Sequence, residues 1–138
     1  MVVGDFGKLI ALVRNLMMAK LDDALKAYDL TSSQYGVLKT IVESKADTLA
    51  TLCETMQHDK GAMSRILSRM EEKSLIVRKP CPDDGRAFKL ALSDKALALY
   101  PQTVELVEEI YGQALKGAEP AEREQFFSVL EKCRDNLS

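Results

Sequence analysis

Two short amphipathic segments lie a few residues apart in the middle of the chain, and their spacing constrains the fold more than any other feature. The first, capped by Asp47-Thr48, uses Leu49, Leu52, Cys53 and Met56. The second, about Lys60 to Lys73, sets Met63, Ile66, Leu67 and Met70 at i, i+3, i+4 and i+7, the stripe of a helix packed on a core. Only Gln57-His58-Asp59 separates them, so the chain turns tightly. The pair predicts a helix-turn-helix, and the run from Glu71 to Arg78 that follows predicts an adjoining β-wing. In that motif the second helix is the one shaped to enter a DNA major groove.

The face of the second helix opposite its apolar stripe carries Lys60, Gly61, Ser64, Arg65 and Ser68, with Arg69 near the margin. Arg65 suits bidentate contact to guanine or to a phosphate. Ser64 and Ser68 can bond bases or phosphates. Gly61 and Ala62 keep the helix start slim, so that backbone N–H groups can meet a phosphate.

The flanking chain reads as helical. Phe6, Leu9, Ile10, Val13, Leu16, Met17, Leu21 and Leu25 predict a helix over about 5–28, and Thr31-Ser32-Ser33 opens a second with Tyr35, Val37, Leu38, Ile41 and Val42. Residues 76–79 and 87–92 read as strands, joined by a turn through Pro80-Cys81-Pro82-Asp83-Asp84-Gly85-Arg86. Ser93-Asp94 caps a helix to about Gly117, kinked at Pro101, and Glu119-Pro120 opens a last one with Phe126, Phe127, Leu130, Cys133 and Leu137. At the hairpin tip, Arg86 is the expected groove or phosphate probe and Asp84 the carboxylate that steadies it.

Charge distribution agrees with this layout although the net charge is −2. Residues 58–96 hold nine Lys/Arg against six Asp/Glu, whereas 1–57 hold six against seven and 97–138 four against eight. The basic stretch is the helix-turn-helix and hairpin. Three scattered cysteines and a single histidine, His58, give no metal-ligand spacing and no disulfide framework, so neither metal nor cofactor is expected. The apolar start is broken by Asp5, Lys8 and Arg14 and lacks a cleavage site; with no membrane-length apolar run, a cytoplasmic protein with no membrane partner is expected. No nucleophile, base or metal set points to an enzyme.

The stretch from Leu30 to about Leu92 resembles the MarR family of winged helix-turn-helix regulators. Leu30-Thr31-Ser32-Ser33-Gln34-Tyr35-Gly36-Val37-Leu38 matches the family's Leu-Thr-x-x-Gln-aromatic-x-x-Leu opening, and Leu49-Ala50 to Met56 its Leu-Ala-x-x-Leu helix. Ser64-Arg65 to Leu75-Ile76 matches its Ser-Arg…Leu-Glu-Lys-Gly-Leu-Val run, and Pro82-x-Asp84-Gly85-Arg86 its Asp-x-Arg wing. Ser74 stands where the family usually has Gly, the wing has one arginine where many members have several, and Ser93-Asp94-Lys95-Ala96 lacks a common glycine.

The resemblance implies an α+β, mainly helical fold and a single domain over 1–138. A winged helix-turn-helix lobe at about 30–95 would lie between dimerisation helices at about 1–28 and 97–138. It further implies a homodimer built from the first and last helices, which would cover Leu9, Ile10, Val13, Phe126, Phe127 and Leu130. The implied function is sequence-specific regulation of transcription. The partner would be double-stranded DNA with a near-palindromic operator, and the protein would repress nearby genes until released by a small aromatic ligand or an oxidant. Met17, Met18, Tyr35 and Tyr111 are candidates for an effector pocket, and Cys81 for a reactive thiol. The rival reading, motivated by the acidic balance and sparse wing, is a winged-helix protein-interaction module without DNA binding.

Overall fold

The computed structural model describes the backbone of residues 2–81 and 84–138, and the side chains of these residues other than 81 and 84–87. Helix α1 (Phe6–Leu25) is flanked by single 3₁₀ turns, Val3–Asp5 and Lys26–Tyr28. Side-chain caps then decide where the next helices start. Thr31 Oγ1 accepts from the Gln34 N–H at 3.1 Å and Gln34 Oε1 accepts from the Thr31 N–H at 3.2 Å, opening α2 (Ser32–Ser44) with a reciprocal box. Thr48 and Thr51 do the same for α3 (Leu49–Met56). Asp59 Oδ1 accepts from the Ala62 N–H at 2.7 Å to begin α4 (Lys60–Glu72). Such caps are each worth ~1 kcal/mol.

An antiparallel hairpin follows, β1 (Ile76–Cys81) with β2 (Asp84–Leu92). Both strands run further than their sequence suggested. Pro80 pairs with Phe88 inside β1, as a two-stranded sheet allows where the absent N–H can face away from the partner. Beyond it the register breaks: an unbroken ladder would set Cys81 opposite Ala87, and Cys81 lies opposite Asp84 instead. The backbone read as turn at Cys81 and 84–86 is therefore strand, while Pro82 and Asp83 lie outside the described residues. So do the side chains of Cys81, Asp84 and Arg86, on which the thiol and wing expectations rested.

Ser93 Oγ caps α5 (Asp94–Ala114), accepting from the Ala96 N–H at 3.1 Å. Pro101 lies within this helix without ending it. The helix stops at Ala114 rather than Gly117, because the chain loosens into a turn that Gly117 completes at φ 91°. Arg123 of α6 (Pro120–Leu137) reaches back to that turn, Nε to the Ala118 carbonyl at 3.0 Å and Nη2 to the Leu115 carbonyl at 3.1 Å.

One apolar core joins Leu21 and Leu25 of α1, Tyr35, Val37 and Leu38 of α2, Leu52 of α3, Met63, Leu67 and Met70 of α4, Leu90 of β2, and Ala96, Val107 and Ile110 of α5. Burial pushes the Tyr35 hydroxyl up to about 12, so it stays neutral against the Tyr100 ring at 6.1 Å. The first half of α1 and the whole of α6 contribute no buried residue.

At the end of α4, Ser74 takes φ 59°. The Leu75 N–H bonds the Met70 carbonyl and the Ser74 N–H the Glu71 carbonyl, both at 2.9 Å, which completes a Schellman motif with serine at the left-handed position. A side chain there costs about 1–2 kcal/mol, partly offset in a glycine variant by the looser unfolded chain. Ser74→Gly is thus expected to raise unfolding free energy by about 1 kcal/mol in urea titration. An unchanged midpoint would show that this backbone is not strained.

Candidate nucleic-acid interface

The turn between α3 and α4 fixes how α4 is presented. Gln57 ends α3 at φ 54°, the His58 N–H bonds the Cys53 carbonyl at 3.1 Å, and His58 Nδ1 lies 2.9 Å from the Met56 carbonyl. The histidine is spent on holding the turn. Asp59 then starts α4, whose Met63, Leu67 and Met70 are buried and whose Ile66 is half-buried.

Away from that stripe Lys60, Gly61, Arg65, Ser68 and Arg69 are exposed and Ser64 is half-exposed. At 100° per residue, Gly61 and Ser68 form the crest. Lys60 and Ser64 lie on one flank and Arg65 and Arg69 on the other. The six residues predicted from sequence therefore share one outward face. The Ala62 amide does not meet the expectation of a phosphate contact, because the Asp59 carboxylate already holds it. A Cβ added at Gly61 would stand 3.3 Å from Asp59 Oδ1 and 3.5 Å from Arg65 Nη1. The Arg65 guanidinium thus folds back toward the helix N-terminus, over a glycine that leaves it room.

Each flank borders a cleft. Lys60 and Ser64 line one of about 470 Å³ with Leu49, Cys53, Arg78 and Phe88, between α3, α4 and the hairpin. Arg65 and Arg69 line another of about 480 Å³ with Asp22, Ser32, Gln34 and His58, between α2 and α4. None of the described cavities is lined by all four residues proposed for an effector pocket, and Met18 packs at the edge of the core. Met17 lines a cavity of about 240 Å³ between α1 and α5, Tyr35 packs on Tyr100, and Tyr111 is exposed.

The hairpin sorts the remaining cations by strand alternation. Ile76, Arg78 and Pro80 share one face with their partners Leu92, Leu90 and Phe88, and the buried Ile76 and Leu90 mark it as the inner one. Arg78 is held there by Glu71, Nε to Oε1 at 2.6 Å. The opposite face presents Lys79 directly across from Lys89, both exposed. Like charges directly opposite are destabilising, and an anion between them would relieve the repulsion. Sequence reasoning did not single out these two lysines. Their signal is the strand register, which composition alone does not reveal. Lys73 and Lys95 also leave the basic count, since both donate to backbone within the fold. Among the described residues no group of three or more His, Cys, Asp or Glu could hold a metal, and no helix is long and apolar enough to cross a membrane.

A helix-turn-helix running into an antiparallel hairpin, carried between long terminal helices, defines the winged helix-turn-helix class of transcriptional regulators. A sequence profile of the MarR family matches residues 28–87, the segment from the end of the α1 turn into the wing. Over that segment the chain is similar to the MarR family. Its fold is similar to that of the transcriptional regulator SlyA, with TM-score 0.88 and 22% identity over 96% of this chain and 94% of that one. It is also similar to a cysteine-to-serine mutant of MarR from E. coli complexed with operator DNA, with TM-score 0.86 and 25% identity over 96% of this chain and 99% of that one. A third similar structure is the organohalide-sensing regulator RdhR in its 2,4-dichlorophenol-bound form, with TM-score 0.87 and 22% identity over 99% of this chain and 82% of that one. The profile match and the fold are those of transcriptional regulators.

Proposed function

We propose that the protein is a homodimeric repressor that binds a near-palindromic operator through α4 and the wing. The observation that carries the DNA reading is the outward face of α4, where Lys60, Ser64, Arg65 and Arg69 flank a crest of Ser68 and Gly61 that the glycine keeps low. The related E. coli protein was captured on operator DNA with the same fold, which supports carrying this role over. Lys79 and Lys89 extend the cationic surface onto the hairpin, and the part expected of Arg86 as a groove or phosphate probe is retained in this proposal.

Dimerisation rests on α6. An 18-residue helix with no buried residue has nothing to hold it in an isolated protomer. Phe126 and Phe127 are 46% and 48% exposed, and Phe6, Leu9, Ile10 and Val13 of α1 are exposed as well. A second copy covering both helices gives residues 1–28 and 97–138 their role and leaves 30–95 as the reading lobe.

Release by a small aromatic acid or phenol is supported by the cleft between α3, α4 and the hairpin. Its wall is apolar, through Leu49, Leu67, Phe88 and Leu90, with Lys60 to meet an anionic group, and it adjoins the DNA face. A ligand-bound relative, RdhR with 2,4-dichlorophenol, makes this class of effector reasonable.

Fluorescence anisotropy on a duplex selected from a randomised pool tests the reading. Affinity is expected to fall steeply with salt, and the variant Lys79→Ala with Lys89→Ala to lower the log–log slope by about 2. Benzoate in the same titration is expected to weaken binding. Salt-independent or absent binding would move the protein-interaction reading to first place.

A further inference from the structure

The C-terminal end of α4 is tied to two other parts of the fold by polar contacts within three residues. Lys73 Nζ donates to the Asp29 carbonyl at 2.8 Å and to Gln34 Oε1 at 3.0 Å, with Asp29 Oδ1 at 3.6 Å. Asp29 ends the turn after α1, at φ 53°, and Gln34 belongs to the box that opens α2. The lysine therefore fastens α4 to the elbow where α1 enters the lobe. From the other side Lys95 Nζ donates to the Lys73 carbonyl at 2.8 Å, Ser93 Oγ to the Ser74 carbonyl at 2.6 Å, and the Ser93 N–H to the Leu75 carbonyl at 3.0 Å. Those donors are the cap and first turn of α5. The three residues that follow α4 are thus bonded on both sides: the Lys73 ammonium donates to the α1–α2 elbow, and the carbonyls of Lys73, Ser74 and Leu75 accept from the start of α5.

The Lys73 side chain is 25% exposed, against 80% for Asp29, so its charge is turned into the protein. Among the described residues the N-terminal end of α4 has no comparable polar tie, since Asp59 caps the helix with its own chain. The angle of the recognition helix to the arms is accordingly set at its C-terminal end.

We infer that Lys73 is a positioning residue for operator reading, locking the recognition helix to the α1 and α5 arms so that the two helices of a dimer keep a fixed separation. The inference rests on the dimeric DNA-binding reading above. Two recognition helices read successive major-groove faces only when set about one helical turn apart, so a lobe free to swing tolerates altered half-site spacing. Lys73 then controls spacing discrimination rather than contact with any base.

The test uses the full chain and the duplex selected on the wild-type protein, together with one version lengthened by two base pairs between half-sites and one with a single half-site. Lys73→Met is expected to cut the affinity ratio between the selected and lengthened duplexes by about fivefold or more while leaving single-half-site affinity within about twofold. Lys73→Arg, which keeps charge and donors, is expected to restore the ratio, and Lys95→Met, exposed on α5, to lower it in the same direction. An unchanged ratio, or equal loss on all three duplexes, overturns the inference while the DNA reading stands. If Lys73→Met does not fold, Lys95→Met decides: a lowered ratio supports the lock and an unchanged one overturns it. A wild type that selects no duplex overturns the DNA reading and the inference together.

Discussion

Leu9→Glu combined with Phe127→Glu is expected to turn the protein into a monomer that sediments at the 15.3 kDa chain mass instead of twice that value. Both positions lie on exposed apolar stripes, Leu9 at 43% and Phe127 at 48% exposure, so neither change removes a contact from the lobe core. In a dimer the same changes would place unpaired carboxylates inside an apolar interface, at several kcal/mol per ion. Circular dichroism should show lost helix, because α6 has no packing of its own in the monomer. Affinity for a two-half-site duplex should drop by about 10²–10⁴-fold as the second lobe ceases to be tethered. A variant that stays dimeric would sink the interface assigned to α1 and α6, and a wild-type monomer that binds the same duplex tightly would sink dimerisation itself.

The parts of this fold that were legible in the sequence are those specified by neighbours in the chain. Thr31, Thr48 and Ser93 stand where caps were expected, since a cap needs only a short oxygen-bearing side chain and an N–H two or three residues on, and Asp59, read only as part of the turn, caps α4 in the same way. The α4 stripe was legible for the same reason, with Ile66 less buried than Met63 and Met70. Strand ends were not. Pro80, Cys81, Asp84 and Gly85 have turn-forming composition, yet cross-strand pairing carried the ladder past Pro80 and then shifted its register. The basic stretch was over-read in one respect: Lys73, Lys95 and Arg78 count as cations in the sequence but are committed to Asp29 and Gln34, the Lys73 carbonyl and Glu71. Those ties join residues up to 44 positions apart, which no local pattern specifies. Lys79 and Lys89 escaped notice for the converse reason, because only the hairpin register sets them face to face.

Arg65→Ala carries the largest expected effect on recognition of any single change on the α4 face. The side chain is exposed, and its guanidinium lies over Gly61 rather than against Met63, Leu67 or Met70. Thermal stability should therefore stay within about 0.5 kcal/mol of wild type, as for most surface substitutions. If Arg65 reads a guanine, operator binding should weaken by about 1–3 kcal/mol and discrimination at one base pair should relax. If it grips a phosphate, affinity should fall alike for operator and scrambled duplex, and the salt slope should drop by about 1. Arg65→Lys separates the two further, since a lysine keeps the charge but cannot reproduce a bidentate fork. It should rescue the phosphate case and fail in the guanine case. Anisotropy on both duplexes at two salt concentrations reads all of these outcomes. A folded Arg65→Ala protein that binds both duplexes like wild type would mean that the Arg65 side of α4 does not face DNA.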